Sequence, residues 1–209
     1  DWLPYFRLRV TYGYSGNVDN SLSAYPTIAY QSPNGYTNLP YATAVNPPNP
    51  DLRWEKTGIL NLGLDFGIKN NRISGSLEYY SKKSTDLISP TPADYTTGFS
   101  YLNLNSADMK GKGIEIQLNA RIIDGRFKWI ANLIYNYSQS EVTKYDQTYP
   151  TGNSYVGNGL NTLPLPGKPL NAVFSYKWAG LDPTDGDPLG YVNGHVSKEY
   201  NTIINNSTD

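Results

Sequence analysis

The segment from Gly58 to Ile68 alternates apolar and polar residues, and this pattern constrains the fold more than any other feature of the chain. Its apolar positions are Leu60, Leu62, Leu64, Phe66 and Ile68. After a predicted turn at 69–72, the alternation resumes with Ile73, Gly75, Leu77 and Tyr79. Because successive side chains point to opposite faces of a strand, each segment is a predicted strand with one apolar and one polar face. Together they form a predicted β-hairpin over about 58–81.

The same pattern recurs twice. Apolar residues alternate from Ile114 to Ile122 and again from Phe127 to Tyr137. The pair Asp124-Gly125 lies between these two segments and favours a tight hairpin turn. A further alternating strand is predicted over 7–14. The chain therefore contains five predicted antiparallel strands.

The predicted connections between these strands are long and short in turn. Long polar connections are predicted at about 15–57 and about 82–110, whereas the turns at 69–72 and Asp124-Gly125 are short. The strands that run toward the long connections end in tyrosines, namely Tyr12, Tyr14, Tyr79, Tyr80, Tyr135 and Tyr137. Short periplasmic turns, long outer loops and aromatic residues at both interfaces are typical of outer-membrane barrels. The pattern favours strands of a large transmembrane β-barrel with long extracellular loops, and five strands make only a partial barrel.

A soluble β-sandwich is the alternative, because its strands also alternate apolar and polar residues where one face packs on a partner sheet.

Composition excludes other classes of protein. The chain has 209 residues, a net charge of −1, no cysteine, and 19 tyrosines against 5 phenylalanines. This charge gives no reason to expect nucleic-acid binding, and no apolar run approaches the roughly 18 residues of a transmembrane helix. Tyrosine suits half-wet places such as bilayer interfaces and carbohydrate or peptide grooves.

The chain contains the segments NPDLRWEKT at 49–57, NLGLDFG at 61–67, NRISGSLEYY at 71–80 and TDLI at 85–88. Together they resemble the C-terminal barrel of SusC/RagA-type TonB-dependent transporters. Residues 105–123 and 174–191 are similar to later parts of the same family, and all these segments occur in the family's order. The resemblance covers most of the chain.

This resemblance implies a multi-pass β-barrel in the outer membrane of a Gram-negative bacterium, in contact with outer-membrane lipid. Family members import oligosaccharides or peptides, are energised through TonB, and are capped by a SusD-like surface lipoprotein. We expect the N-terminal plug domain and the TonB-contacting segment to be absent from this chain, which we interpret as part of a longer polypeptide. Its expected role is the barrel wall and extracellular mouth.

The resemblance also suggests the domain organisation. Residues 1–138 are expected to hold barrel strands with two long extracellular loops, at about 15–57 and 82–110. Residues 139–209 are expected to form an extracellular loop region with a local β-hairpin. The alternating segment at 169–178 could be taken for a spanning strand, but in relatives this region stays on the extracellular side.

No arrangement of residues predicts catalysis, a cofactor or a metal site. The single histidine, His195, lies in a polar segment and has no evident orienting partner. The run from Asp182 to Asp187 has oxygen ligands in a calcium-like order, but no glutamate follows at the required position. Asp-Pro and Asp-Gly pairs are common in turns, so a turn is favoured over an ion site. The protein is expected not to be an enzyme.

Aromatic residues in the predicted loops are the candidate ligand- or partner-binding residues. They are Tyr95, Phe99, Tyr101, Tyr149 and Tyr155. Flat aromatic faces beside asparagine suit both sugar rings and protein partners. Packing of one loop on another is an equally good explanation for any single one of them. Trp54 lies in the motif that leads into a strand and is expected to be structural. A soluble or surface-anchored β-sandwich that binds glycan and, less favoured, an extracellular hydrolase module are the competing functions.

Overall fold

The computed structural model describes residues 3–68, 72–147, 151–157 and 163–205. The chain divides into two compact units, Asp1–Asp146 and Gln147–Asp209.

The first unit is built on a five-stranded antiparallel sheet. Its strands, numbered in chain order, are β1 (Tyr5–Asn17), β4 (Glu55–Ile68), β5 (Ile73–Pro92), β6 (Tyr101–Asp124) and β7 (Lys128–Tyr145). They lie in the order β1-β4-β5-β6-β7, so sequential strands of the sheet are neighbours. The connection from β1 to β4 contains a separate two-stranded hairpin of β2 (Thr27–Gln31) and β3 (Tyr41–Asn46).

The register of the sheet aligns the alternating residues into rows across all five strands. One row consists of Val10, Leu62, Tyr79, Ile114 and Tyr137. The neighbouring row on the same face consists of Leu8, Leu64, Leu77, Ile116 and Tyr135. The opposite face has polar rows, such as Arg9, Gly63, Glu78, Glu115 and Asn136. The alternation in the sequence therefore sets one apolar and one polar face, as predicted.

Among the described residues of the first unit, no second layer covers the apolar face. Leu8 and Val10 are 66% and 62% exposed. Among the described residues, Val142 is the only apolar side chain that is fully buried, at 1% exposure. A β-sandwich would bury such a face against a partner sheet about 10 Å away. This sheet instead has the exposed apolar exterior of a barrel wall.

The apolar residues of this face form a belt that runs obliquely across the strands. The apolar belt extends from Phe6 to Tyr14 on β1 and from Trp129 to Tyr137 on β7. The row that contains Tyr14 continues through Gly58, Lys83, Lys110 and Glu141. On β1 the belt includes Tyr14, but on β7 it ends at Tyr137, four residues before Glu141, which shares the row of Tyr14. The belt is therefore shifted toward the β6–β7 turn as it passes from β1 to β7. Strands that tilt by about 35–45° to a barrel axis produce such an offset.

Most of residues 82–110, the second predicted long loop, lies in paired strands. β5 continues to Pro92 and β6 begins at Tyr101, which leaves only residues 93–100 as a connection, with one 3₁₀ turn at Tyr95–Thr97. The paired strands beyond Lys82 are called the β5–β6 extension. The sequence does not indicate these strands, because polar residues occupy both faces there and the alternation of apolar and polar residues is lost. Backbone pairing continues without it, through a register shift between Ser84 and Leu87.

Two other predicted boundaries also change. β1 runs to Asn17 and β7 runs to Tyr145, beyond the predicted ends at residues 14 and 138. The predicted loop at 15–57 includes the β2–β3 hairpin and the start of β4. The short turn predicted at 69–72 lies largely outside the described residues, whereas the tight turn after Asp124 is present between β6 and β7.

The second unit contains short elements. They are α1 (Gly152–Val156), β8 (Gly190–Val192), β9 (His195–Ser197) and α2 (Tyr200–Asn205). β8 and β9 pair as an antiparallel hairpin, and Leu181 forms an isolated bridge with Pro188. Residues 169–178 are not in a strand. None of the helices in the described ranges is long and apolar enough to cross a membrane.

Candidate functional surfaces

An arginine network ties three strands together on the polar face. Arg9 on β1 donates from Nε to Asp65 on β4 at 3.0 Å, and from Nη2 to Glu78 on β5 at 2.5 Å. Arg7 adds a second guanidinium to Asp65 at 2.9 Å. The carboxylate of Asp65 thus accepts from two arginines, while Glu78 pairs with the arginine of a strand that is not its neighbour.

Two glycines make room for long side chains on this polar face. A Cβ atom on Gly63 would lie 3.1 Å from the guanidinium carbon of Arg9, which crosses β4 at this point. A Cβ atom on Gly113 would lie 2.5 Å from the ring of Tyr80, its register partner. Without these glycines neither side chain could lie flat across the neighbouring strand. The sequence alone does not single out Arg7, Arg9 or Asp65, because the contacts depend on register.

The segment that resembles the family motif at 49–57 holds the β5–β6 extension in place. Arg53 donates to Asp86 Oδ1 from Nε at 3.1 Å and from Nη2 at 2.7 Å. The Oε1 atom of Glu55 accepts from the backbone N–H of Ile88 at 3.0 Å. Asp86 has a positive φ of 58° and donates its backbone N–H to Asp108 at 3.0 Å.

Asn105 completes these contacts from β6. Its amide nitrogen donates to the carbonyl oxygens of Arg53 at 2.8 Å and Asp86 at 2.6 Å. Its amide oxygen accepts from the backbone N–H of Arg53 at 2.9 Å. Asn49 similarly donates its amide to the carbonyl of Asn103 at 2.7 Å. The motif residues therefore have a structural role. Trp54 has one too, because its ring lies against Gly16: a Cβ atom added to Gly16 would be 3.3 Å from the nearest ring atom of Trp54.

The structure brings three of the predicted aromatic residues to one place. Tyr95, Phe99 and Tyr101 lie at the tip of the β5–β6 extension. Tyr95 is 88% exposed and Tyr101 is 61% exposed, whereas Phe99 is half-buried. Asp94 accepts from the backbone N–H of Thr96 at 2.8 Å and fixes the 3₁₀ turn that carries Tyr95.

The other two predicted aromatic residues are not part of this tip. Tyr149 lies outside the described residues. Tyr155 belongs to α1 in the second unit, and its ring packs edge-on against Phe174 with centroids 5.3 Å apart. Phe174 comes from the alternating segment at 169–178, so Tyr155 and that segment take part in packing within the second unit.

Lys198 lies among the carboxylates of the acidic run from Asp182 to Asp187. The Nζ atom of Lys198 lies 2.6 Å from Asp182, 2.5 Å from Asp185 and 3.8 Å from Asp187. Hydrogen bonds from Lys198 lower the pKa of Asp182 and of Asp185, and the two carboxylates raise the pKa of Lys198. The backbone N–H of Thr184 also donates to Asp182, as in a turn. Within the described ranges no group of His, Asp and Glu could hold a metal ion.

A sheet with an uncovered apolar face, a charged polar face and strands in sequential order defines a section of a β-barrel wall. Comparison with known proteins gives the family. The sequence model described as "TonB dependent receptor-like, beta-barrel" matches residues 1–208. The chain is 28% identical over 188 residues to TonB-dependent receptor P39 of Formosa agariphila, covering 86% of this chain and 18% of that protein.

Other relatives agree. The chain is 30% identical over 171 residues to TonB-dependent receptor SusC of Bacteroides thetaiotaomicron, covering 75% of this chain and 17% of SusC. The RagAB peptide importer in its "closed-closed" state matches the whole chain with a TM-score of 0.81, at 26% identity and over 24% of that structure's chain. The chain belongs to the TonB-dependent receptor β-barrel family, with relatives of the SusC/RagA type. It spans about a quarter or less of the length of these relatives.

Proposed function

We propose that this chain forms part of the wall and extracellular mouth of an outer-membrane importer of oligosaccharides or peptides. One observation carries the proposal: no described residues of the first unit form a layer over the apolar face that is aligned across its five strands. Lipid covers such a face in a transmembrane barrel. Family membership supports this assignment, because the relatives include SusC and the RagAB peptide importer.

The orientation follows from the lengths of the connections. The β6–β7 turn is short, whereas the opposite end of the sheet bears the β2–β3 hairpin and the β5–β6 extension. In outer-membrane barrels the long connections face outward and the short turns face the periplasm. The tip that carries Tyr95, Phe99 and Tyr101 is thus extracellular. Residues 139–209 also belong to the extracellular side, although β7 uses the first of them, to Tyr145.

The polar face lines the lumen in this proposal. There Arg9 forms ion pairs with Asp65 and Glu78. These charges therefore have partners within the wall and do not need one from the substrate. No residue is assigned a catalytic role. The proposed role of the wall is passive, and we assign its residues neither TonB contact nor energy coupling.

The aromatic tip is the proposed contact for a SusD-like surface lipoprotein or for substrate. Exposed tyrosines supply apolar area and a hydroxyl group at a small cost in conformational entropy, and they suit both glycans and protein partners. Tyr149 and Tyr155 remain further candidates, but the packing of Tyr155 on Phe174 favours a structural role for Tyr155. The β-sandwich alternative is not favoured, because the described part of the first unit contains no partner sheet for the apolar face.

Purification of the full-length protein in mild detergent tests the proposal. We expect a SusD-like lipoprotein to co-purify and to be identified by mass spectrometry. The triple variant Tyr95→Ala, Phe99→Ala and Tyr101→Ala should lower its recovery or lower uptake. Tyr30→Ala is the matched control, because Tyr30 is 84% exposed but lies in the β2–β3 hairpin. A full-length protein that needs no detergent would contradict the barrel, and a triple variant that behaves like Tyr30→Ala would contradict the tip assignment alone.

A further inference from the structure

Four lysines lie on the outward face of the sheet, directly beyond the apolar belt. They are Lys56, Lys83, Lys110 and Lys112, and we call them the lysine cluster. Lys83 and Lys110 occupy the row that contains Tyr14, while Lys112 and Lys56 occupy the rows on either side of it. All four side chains are exposed. They therefore follow the edge of the belt at the end of the sheet that bears the β5–β6 extension.

Aromatic residues accompany the lysines at this edge. Tyr12 and Tyr14 hydrogen-bond to each other through their hydroxyl groups, and their rings meet edge to face at 5.3 Å. The Nζ atom of Lys56 lies 4.5 Å from the centroid of the Tyr14 ring. Together with Lys83 these side chains line an open depression in the outward face. Tyrosine rings mark the level of the lipid headgroups in membrane proteins.

Most of the positive charge in the cluster is not neutralised. Lys110 pairs with Glu141 at 3.0 Å in the same row. In the part of the chain that the structure describes, no ion pair involves Lys56, Lys83 or Lys112. Long lysine stems can lie along apolar surface while their ammonium groups reach the headgroup layer. Three uncompensated charges beside two tyrosine hydroxyls thus face the membrane surface.

We propose that the lysine cluster binds the phosphate group of a phosphorylated lipid in the outer leaflet. The proposal rests on the proposed function, since it requires the apolar belt to contact lipid. Charge complementarity identifies the occupant: the cluster has a net positive charge and lies at headgroup height. In the Tyr12–Tyr14 pair, the hydroxyl that accepts keeps its own proton and can donate it to a phosphate oxygen. A ligand that enters through the lumen would not reach it, because the cluster is on the opposite face from Arg9 and Glu78.

Native mass spectrometry of the delipidated full-length protein in detergent tests the proposal. The probe is lipid A with its phosphate groups, and the comparison lipid is the same molecule after enzymatic removal of phosphate. Lys83→Gln should weaken binding of the phosphorylated probe about fivefold, and Lys56→Gln, Lys83→Gln and Lys112→Gln together about 100-fold. The matched control is Lys82→Gln, because Lys82 is the adjacent exposed lysine on the polar face. This control should bind within about twofold of the unchanged protein.

Two results would overturn the assignment of the cluster. One is equal affinity of the Lys83→Gln and Lys82→Gln proteins, and the other is equal affinity of the unchanged protein for the two lipids. Either result would leave the barrel proposal intact, provided that the protein still requires detergent for solubility. Loss of the detergent requirement would instead contradict the proposed function itself.

Discussion

The guanidinium group of Arg9 lies 2.5 Å from the carboxylate of Glu78, although β4 separates the strands that carry them. Gly63 stands between the two residues in the register, and its lack of a side chain leaves the path open. Asp65 accepts from the same guanidinium group at 3.0 Å. The polar face is therefore cross-linked over three strands by one side chain.

This relationship predicts a measurable coupling between Arg9 and Glu78. Both side chains are partly exposed, so a double-mutant cycle with Arg9→Gln and Glu78→Gln should give a small favourable coupling in the free energy of unfolding, and added salt should weaken it. Urea unfolding of the barrel in detergent measures it. Glu115 is the control, because it has the same charge one strand further along the row. A coupling of Arg9 to Glu115 as large as that to Glu78 would contradict the geometry.

The β5–β6 extension should depend on Asn105. Asn105→Ala removes three hydrogen bonds to the backbone of Arg53 and Asp86, each worth about 1 kcal/mol. We expect faster proteolytic cleavage at residues 93–100, with the barrel strands unaffected. Asn103→Ala is the control, because Asn103 takes part through its carbonyl oxygen and not through its side chain. Equal cleavage rates for the two variants would show that Asn105 does not hold the extension.

Gly75 should tolerate no side chain, although it lies in the apolar row of Phe66 and Leu118. A Cβ atom there would lie 2.4 Å from the backbone oxygen of Gln117, so Gly75→Ala must displace β6. We expect a loss of about 1–3 kcal/mol in the free energy of unfolding. Gly13→Ala is the control, since an added Cβ there meets nothing within 4 Å. Thermal unfolding should show a lower midpoint for Gly75→Ala than for Gly13→Ala, and equal midpoints would refute the close approach.

Much of the sheet could be predicted from the sequence, because alternation alone fixes which residues share a face. The hairpin pairing then follows from short turns such as Asp124-Gly125. The β5–β6 extension could not be predicted in this way. Its strands are held by backbone pairing and by polar contacts such as that of Arg53 with Asp86. Neither kind of contact produces a regular alternation of apolar and polar residues in the sequence.

Prediction of the candidate sites was limited for a similar reason. The aromatic tip can be proposed from composition, but the lysine cluster cannot, since Lys56, Lys83 and Lys112 come together only through the register of three strands. The acidic run near Asp182 looked like part of an ion site, and only the folded hairpin shows that Lys198 fills it. Contacts between residues far apart in sequence decide these cases, and a single sequence does not contain them.

The central claim is that lipid covers the apolar face and that the lumen adjoins the polar face. Leu62 and Asn61 test it most directly, because they are adjacent in β4 and point to opposite faces. The measurement is the free energy of unfolding of the full-length barrel in lipid vesicles. Leu62→Arg should cost about 2–4 kcal/mol, whereas Asn61→Lys should be tolerated. Equal costs for the two substitutions in a membrane-inserted barrel would contradict the assignment of the faces.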